Sequence, residues 1–129
     1  MVGNPKRYFP ALAVSGLLWA LQGVPNAVAE PIEPEMTPDL RAGKQAYKVR
    51  CAECHGGRGG GAEKGPPLVH RLYNPGHHGD AAFYRAVRQG SKEHHWKFGD
   101  MKPVPDVTDE EFEALMRYVR AVQRANGVF

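Results

Sequence analysis

Residues 51–55 read CAECH, and Cys51 and Cys54 are the only two cysteines in the 129-residue chain. A histidine, His55, follows the second cysteine directly. Three kinds of chemistry use a cysteine pair with this spacing: a redox-active dithiol, half of a metal site, or the covalent attachment of a haem. The sequence around the motif distinguishes between them.

The first 29 residues have the pattern of a secretory signal peptide. A positively charged start at residues 6–7 is followed by an apolar stretch and then by NAVAE at residues 26–30, which offers small residues to a signal peptidase. Only 14 residues separate Pro10 from Pro25, fewer than the roughly 20 that span a bilayer. Cleavage after Ala29 is therefore favoured over an uncleaved membrane anchor, and the sequence predicts an exported, periplasmic protein.

Removal of residues 1–29 leaves a chain of the size of one small domain. Cleavage takes away Lys6 and Arg7 but no acidic residue, so the formal net charge falls from +3 to +1. The remaining chain has no basic run with interleaved aromatic residues, which argues against nucleic-acid binding. We expect membrane association only through a partner protein or an uncleaved signal. A core of this size is often marginal, and a bound group would stabilise it.

The chain after the signal reads as an extended, proline-rich arm at residues 30–36, followed by a helical domain at residues 37–129. A capping threonine, Thr37, predicts a first helix over residues 37–50 that runs directly into CAECH. Residues 56–68 are too rich in glycine and proline for regular structure and predict a loop.

Two further helices are predicted towards the C-terminus. Residues 80–90 have Asp80 as a cap and Gly90 as a stop. The last helix opens with Thr108 and Glu111 placed as a capping box. Its apolar stripe follows helical spacing and consists of Phe112, Leu115, Met116, Val119 and Val122. Because no segment shows the clean alternation of a strand, the sequence predicts an all-α fold.

The surroundings of CAECH favour covalent haem attachment. A dithiol motif normally follows a strand in a βαβ pattern, whereas a predicted helix precedes this one. A zinc site needs about four ligands, usually in two separated pairs, and the chain has no second cysteine pair. Cys51 and Cys54 lie about one helical turn apart, so both thiols can form thioethers with the vinyl groups of one haem. His55 then lies under the iron as its proximal ligand.

The residue on the other side of the iron decides the function. An open position allows gas binding or peroxide chemistry, whereas a methionine closes it, raises the reduction potential and favours electron transfer. Met101 is the favoured candidate. It lies in a polar loop that two prolines stiffen, and it belongs to no apolar stripe of a helix that would explain its burial. His94 and His95 are its rivals, and an imidazole in this position would lower the potential.

These residues resemble the class I c-type cytochromes, in particular the short bacterial periplasmic ones, over residues 37–126. The matching segments are AGKQAYKVRCAECHG at 42–56, GPPL at 65–68, Met101 and LMRYV at 115–119. The resemblance implies a cytochrome c fold, with three to four helices around one covalently bound haem c. It implies an electron carrier and not an enzyme. The residues that bind the haem would be Cys51, Cys54, His55 and Met101, of which His55 and Met101 ligate the iron.

The resemblance also implies supporting roles. Gly43 would let the first and last helices cross closely, with Tyr47 and Tyr118 in the family's aromatic positions. The carbonyl of Pro66 would accept a hydrogen bond from His55. Leu68 and the stripe of the last helix are expected to wall the haem pocket.

Several polar and aromatic residues have two interpretations. Trp96 matches a tryptophan that binds a haem propionate in short family members, or it fills a loop. The paired histidines, His77 with His78 and His94 with His95, are interpreted as surface residues. A copper-associated role for them is weakly supported, because adjacent histidines chelate poorly without a third placed group.

The resemblance implies a redox partner protein, whose identity the sequence does not give. Lys44, Lys48, Arg50 and Arg58 cluster near the expected exposed haem edge, where they either steer an acidic partner or form a solvated helix face. The alternative function is a haem-based sensor or a peroxidase-like enzyme with an open or histidine-ligated sixth position.

Overall fold

The computed structural model describes residues 29–129, so the predicted signal peptide lies outside the described residues except for Ala29. This part of the chain contains four α-helices and one short 3₁₀ helix, and it has no β-strand. The α-helices are α1 at Pro38–Arg50, α2 at Ala52–His55, α3 at Asp80–Gln89 and α4 at Asp109–Ala125, and the 3₁₀ helix is at Arg71–Tyr73. The all-α prediction is confirmed. No helix within residues 29–129 is long and apolar enough to cross a membrane.

Helix α1 begins as its sequence predicts. The Thr37 hydroxyl oxygen accepts a hydrogen bond from the Leu40 N–H at 3.3 Å, and Pro38 occupies the first turn, where its missing N–H is not needed. The helix ends at Arg50, and the N–H of the next residue, Cys51, donates to the Tyr47 carbonyl at 2.9 Å. Helix α2 follows at once, so the whole CAECH motif is displayed on one short turn.

Helices α1 and α4 cross at Gly43. A Cβ atom at this position would collide with the Ala114 carbonyl and lie 2.9 Å from the Tyr118 Cβ, so only glycine allows this separation. Beside the crossing, the rings of Tyr47 and Tyr118 pack with their centroids 5.6 Å apart, and each side chain is 1 % exposed. The crossing and the aromatic pair agree with what the resemblance implies.

The core lies between α4 and the other elements. All five residues of the predicted stripe on α4 are buried: Phe112, Leu115, Met116, Val119 and Val122. Their partners from the rest of the chain include Ala46, Tyr47, Leu68, Val87 and Val107. Removal of these side chains from water provides the main driving force for folding.

The start of α3 differs from the prediction. Gly79 takes the cap position, and Asp80 is the first helical residue. The Asp80 carboxylate accepts a hydrogen bond at 2.8 Å from Nε of Arg120, which is almost fully buried on α4. A buried guanidinium needs a compensating anion, and this demand takes the aspartate away from the cap. The predicted stop is present, since Gly90 ends the helix with φ at 79°.

The predicted capping box of α4 is only half formed. The Thr108 hydroxyl oxygen accepts a hydrogen bond from the Glu111 N–H at 3.1 Å, as expected. The Glu111 carboxylate binds the Arg50 guanidinium through two hydrogen bonds, at 3.0 and 3.4 Å. Charge-assisted bonds of this forked kind are stronger than one bond to a backbone N–H. The glutamate therefore connects the end of α1 to the start of α4.

The glycine-rich loop after CAECH folds back closely on the motif. The Gly61 N–H donates to the His55 carbonyl at 2.8 Å, and the Val69 N–H donates to the Gly59 carbonyl at 2.9 Å. Ala62 and Gly65 form an isolated β-bridge between these contacts. The loop thus delivers the following prolines to the side of His55.

Candidate functional site

A cavity of about 930 Å³ adjoins the CAECH motif. Cys51, Cys54, His55 and Met101 all line it. The structure therefore brings together in one cavity the four residues that the sequence selects for haem binding. Its apolar wall includes the expected Leu68 and, from α4, Leu115 and Met116.

His55 has one ring nitrogen bonded and the other available. Its Nδ1 lies 2.9 Å from the Pro66 carbonyl, which can only accept, so Nδ1 carries the proton and Nε2 keeps its lone pair. Burial lowers the pKa of His55, and the bond to Pro66 opposes that shift. A neutral, oriented imidazole is the form that ligates a metal ion. The contact that the resemblance implies between these two residues is present.

The surroundings of Cys51 suit an uncharged sulfur better than a thiolate. Burial and the nearby Cys54 and Glu111 raise the pKa of Cys51 to about 12, with Arg50 opposing the shift. Reactive dithiols depend on a stabilised thiolate. A thioether carries no charge, so a buried position suits it. These observations favour haem attachment over a redox-active cysteine pair.

Met101 is held by its own backbone. Its N–H donates to the Ser91 carbonyl at 2.9 Å, and its carbonyl accepts from the Ser91 N–H at 3.0 Å. Gly90 lies against this bridge, and a Cβ atom there would lie 2.5 Å from the Met101 carbonyl oxygen. The Val104 N–H adds a bond to the Val87 carbonyl at 2.7 Å. The segment around Met101 is therefore fixed to the end of α3. The two prolines of the loop predicted a stiff backbone but not this attachment.

Trp96 lines the cavity and carries a buried, unpaired donor. Its indole N–H is buried and has no hydrogen-bond partner within residues 29–129. Burial raises the pKa of Tyr73, and the nearby indole N–H of Trp96 opposes that shift. The indole N–H and the Tyr73 side chain nevertheless do not meet in hydrogen-bond geometry. A buried donor left unpaired costs about 1–3 kcal/mol, and the propionate role that the resemblance implies for Trp96 would supply the missing acceptor.

His94 and His95, the rival ligands for the iron, also line the cavity, but they contact other histidines. The Nε2 atom of His94 lies 3.5 Å from that of His78. The Nε2 atom of His95 lies 3.3 Å from that of His77. The Nε2 atom of His94 thus faces His78, and that of His95 faces His77.

Arg120 is a residue whose importance the sequence did not show. It is 6 % exposed, and its guanidinium makes four hydrogen bonds of 2.7–2.8 Å. The acceptors are the Asp80 carboxylate, the Gln123 side chain and the carbonyls of Tyr73 and His78. The only sequence signal is its position next to the apolar stripe. This residue attaches the segment before α3 to α4.

Most of the cations expected to steer a partner are engaged within the chain. Lys44 pairs with a glutamate of the N-terminal arm, and Arg50 pairs with Glu111. Arg58 donates to a backbone carbonyl at 2.7 Å. Lys48 is exposed in the last turn of α1 and forms no ion pair in the part of the chain that the structure describes. Any steering by this group therefore depends mainly on Lys48.

Comparison with known families decides the kind of site. The family model described as Cytochrome c matches residues 40–123, which is more than half of the chain. This chain belongs to the cytochrome c family. It therefore carries a covalently attached haem c with its iron, and it takes part in haem-based electron transfer with redox partner proteins. A comparison with curated proteins finds no match.

The cavity fits the cofactor that the family requires. Its volume lies within the range of about 300–1,000 Å³ that is usual for ligand sites. Cys51, Cys54 and His55 line it, with Nε2 of His55 left available by the bond of Nδ1 to Pro66, and the buried indole N–H of Trp96 lacks a hydrogen-bond partner among the described residues.

Proposed function

We propose that this cytochrome c is a periplasmic, monohaem carrier of single electrons, with His55 and Met101 as the axial ligands of the iron. Cys51 and Cys54 are the attachment points of the haem. The proposal rests chiefly on Met101, which lines the same cavity as CAECH and is held by two backbone hydrogen bonds to Ser91. When bound, the haem supplies a one-electron couple between ferric and ferrous iron.

The protein's own contribution begins with the two ligands. The Pro66 carbonyl fixes the tautomer and the orientation of the His55 ring, which keeps Nε2 available. The Met101 thioether is a weak ligand, so a backbone already fixed by Ser91 lowers the entropy lost when the sulfur binds. A histidine and methionine pair raises the reduction potential, and a closed sixth position favours electron transfer over chemistry at the iron.

The apolar walls of the cavity are the protein's second contribution to the properties of the haem. Leu68, Leu115 and Met116 line the cavity with apolar surface, which disfavours water beside a bound haem. Burial of a haem is one of the means by which a protein tunes its potential, because a dry surrounding penalises the more highly charged state. We infer that the apolar wall acts in the same direction as the methionine and favours the ferrous form.

The axial ligands are tested by the visible and near-infrared spectrum of the oxidised protein matured in the periplasm. We expect a haem c spectrum with the weak charge-transfer band between methionine sulfur and ferric iron. Met101→Leu should abolish this band and lower the potential. Met116→Leu is the matched control, since Met116 lines the same cavity from α4, and this variant should keep the band.

Carbon monoxide separates the carrier from the sensor or peroxidase-like alternative. The reduced wild-type protein should bind carbon monoxide poorly, and Met101→Leu should bind it readily. A wild-type protein that lacks the methionine band, or that binds carbon monoxide as readily as the variant, would contradict the proposed ligation.

The periplasmic location is supported by the signal-peptide pattern of residues 1–29. We expect the full-length chain, expressed in a bacterium competent in cytochrome maturation, to appear in the periplasmic fraction. Mass spectrometry of the holoprotein should place its N-terminus at Glu30. Recovery of the haem protein in the membrane fraction with residues 1–29 attached would instead show an uncleaved anchor.

A further inference from the structure

Four histidines that the proposed electron-transfer site does not use lie together. His77 and His78 precede α3, and His94 and His95 lie in the loop that follows it. The Nε2 atoms of His77 and His95 are 3.3 Å apart, and those of His78 and His94 are 3.5 Å apart. One ring nitrogen from each of His77, His78 and His95 lies within 4.8 Å of the others. The pair His77 and His78 therefore lies beside the pair His94 and His95. Each pair gives the other the additional ligands that two adjacent histidines need to chelate a metal ion.

Two of these rings have a defined tautomer. The Nδ1 atom of His78 lies 2.7 Å from the Leu72 carbonyl, and that of His94 lies 2.7 Å from the Lys92 carbonyl. A carbonyl can only accept, so both Nδ1 atoms carry protons, and each neutral ring has its lone pair on Nε2. These two lone pairs face each other at 3.5 Å. Such a contact is unfavourable unless a cation lies between them.

We propose that His77, His78 and His95 bind one Zn²⁺ ion through ring nitrogens that already converge, with His94, whose Nε2 atom lies 3.5 Å from that of His78, as the nearest fourth ligand. Four ligands at the usual zinc–nitrogen distance in a tetrahedron are about 3.3 Å apart, which the two observed contacts approach. Imidazole nitrogen is a preferred ligand of zinc and of neighbouring divalent transition metals. The carbonyls of Leu72 and Lys92 serve as the outer partners that orient two of the ligands.

The bound ion would connect two segments that are distant in sequence. One segment leads into α3, and the other ends at Met101. His78, His94 and His95 also line the cavity, so the metal would tie together two parts of its wall. Because zinc would bind the folded chain through converging ligands, it should stabilise the native state by an amount that rises with the logarithm of its concentration above the dissociation constant.

The test uses the untagged holoprotein, freed of adventitious metal by dialysis against a chelator. Isothermal titration with ZnCl₂ should show one ion per chain, and zinc-edge X-ray absorption should show at least three imidazole nitrogens at about 2.0 Å. The thermal midpoint should rise with zinc. The double variant His78→Gln with His94→Gln should bind at least about a hundredfold more weakly, since loss of outer partners alone costs 10–100-fold.

His70→Asn provides the matched control. His70 is another loop histidine, and its ring accepts a hydrogen bond from the Leu72 N–H, a capping role that asparagine can fill. This variant should bind zinc as the wild type does. Absence of zinc binding in the wild type, or equal binding in the double variant, would overturn the proposal. So would a site that holds Cu²⁺ but no Zn²⁺, because that preference indicates a geometry other than a tetrahedron.

The haem spectrum separates this site from the axial ligands. Zinc and the double substitution should both leave the methionine-to-iron band unchanged, since Met101 is not part of the cluster. A change of axial ligation in His78→Gln with His94→Gln would show that these histidines serve the haem, and it would overturn the zinc site while also contradicting the proposed iron ligands. Loss of the band in Met101→Leu with intact zinc binding would support both proposals separately.

Discussion

The two walls of the haem cavity are built in different ways. The motif wall, residues 51–68, is held by short-range contacts such as that of His55 with Pro66, 11 positions away. The loop wall, residues 70–107, carries Met101 and depends on packing against α4. Arg120 of α4 binds groups of this wall 40 to 47 positions away. The chemistry of the motif wall is thus encoded locally, whereas that of the loop wall requires the completed fold.

This difference predicts different failures. Changes in the motif wall should remove the cofactor, and with it much of the core, because both covalent bonds to the haem come from this wall. Changes in the loop wall should leave the haem attached while they alter the second ligand or the stability of the folded chain.

The largest effect is expected from Cys51→Ala with Cys54→Ala. The cavity of about 930 Å³ would lose its covalently held occupant, and the apolar side chains around it would be left facing water or empty space. We expect a largely unfolded chain without haem. Far-UV circular dichroism and urea titration of the purified variant provide the measurement. A cooperative unfolding transition in the haem-free variant would show that the motif wall is not needed for the fold.

The next effect is expected from Arg120→Met. The substitution keeps apolar volume but removes all four hydrogen bonds of the guanidinium, leaving the carbonyls of Tyr73 and His78 without this donor. Breaking a buried charged network typically costs about 3–5 kcal/mol. We therefore expect a loss of about 3 kcal/mol in the free energy of unfolding of the holoprotein, measured by urea titration.

Arg117→Met is the control for that loss. Arg117 lies on the same helix, is exposed, and forms only a long contact of 4.0 Å with Glu113. Its substitution should change the free energy of unfolding by less than about 0.5 kcal/mol. Equal losses in the two variants would mean that Arg120 acts through helix propensity and not as the attachment of the loop wall.

The same division explains what the sequence could predict. The predicted helices and the apolar stripe of α4 follow from local spacing and capping, and the structure contains them. The crossing at Gly43, which the resemblance implies, is also present. CAECH predicted haem attachment because its chemistry needs neighbouring residues only, and the family match confirms the cofactor. The assignment of Met101 as a ligand stays a prediction, since it concerns a bond across the cavity.

What the sequence missed lies where distant residues meet. The cap of α3 was assigned to Asp80, but Arg120 recruits that carboxylate from 40 positions away. Glu111 was expected to complete a capping box, and Arg50 recruits it in the same way. The paired histidines were interpreted as surface residues, and three of the four are exposed, but neither pair indicates that the other lies beside it. Each miss involves a polar group whose partner is set by tertiary packing.

A smaller and more selective effect is expected from Gly90→Ala. The residue has a positive φ of 79°, and a Cβ atom would lie 2.5 Å from the Met101 carbonyl oxygen. The added carbon should push the Ser91–Met101 bridge apart and displace the sulfur, at a cost of about 1–3 kcal/mol. The haem should remain attached, while the methionine-to-iron band weakens or disappears. Near-infrared absorption of the oxidised variant measures this.

Gly99→Ala separates backbone strain from displacement. Gly99 lies in the same loop and has a similar φ of 82°, but a Cβ atom there would meet nothing within 4 Å. This variant should be destabilised by its backbone conformation and still keep the band. If both variants lost the band, strain anywhere in the loop would release the methionine, and the bridge at Ser91 would not be what holds it.

The smallest effect concerns the charged residues beside the motif wall. Lys48 is exposed without an ion pair among the described residues, whereas Lys44 is paired with an arm glutamate. We expect oxidation of the reduced protein by ferricyanide, an anionic acceptor, to slow as ionic strength rises from 0.01 to 0.15 M, because the screening length falls from about 30 to about 8 Å. Lys48→Gln should slow the reaction at low salt by roughly twofold, as expected for one exposed charge, and Lys44→Gln should slow it less. Stopped-flow absorbance measures both rates. If salt leaves the rate unchanged, the cations do not steer an acidic partner. Lys44, Arg50 and Arg58 would then serve only the contacts that they make within the chain.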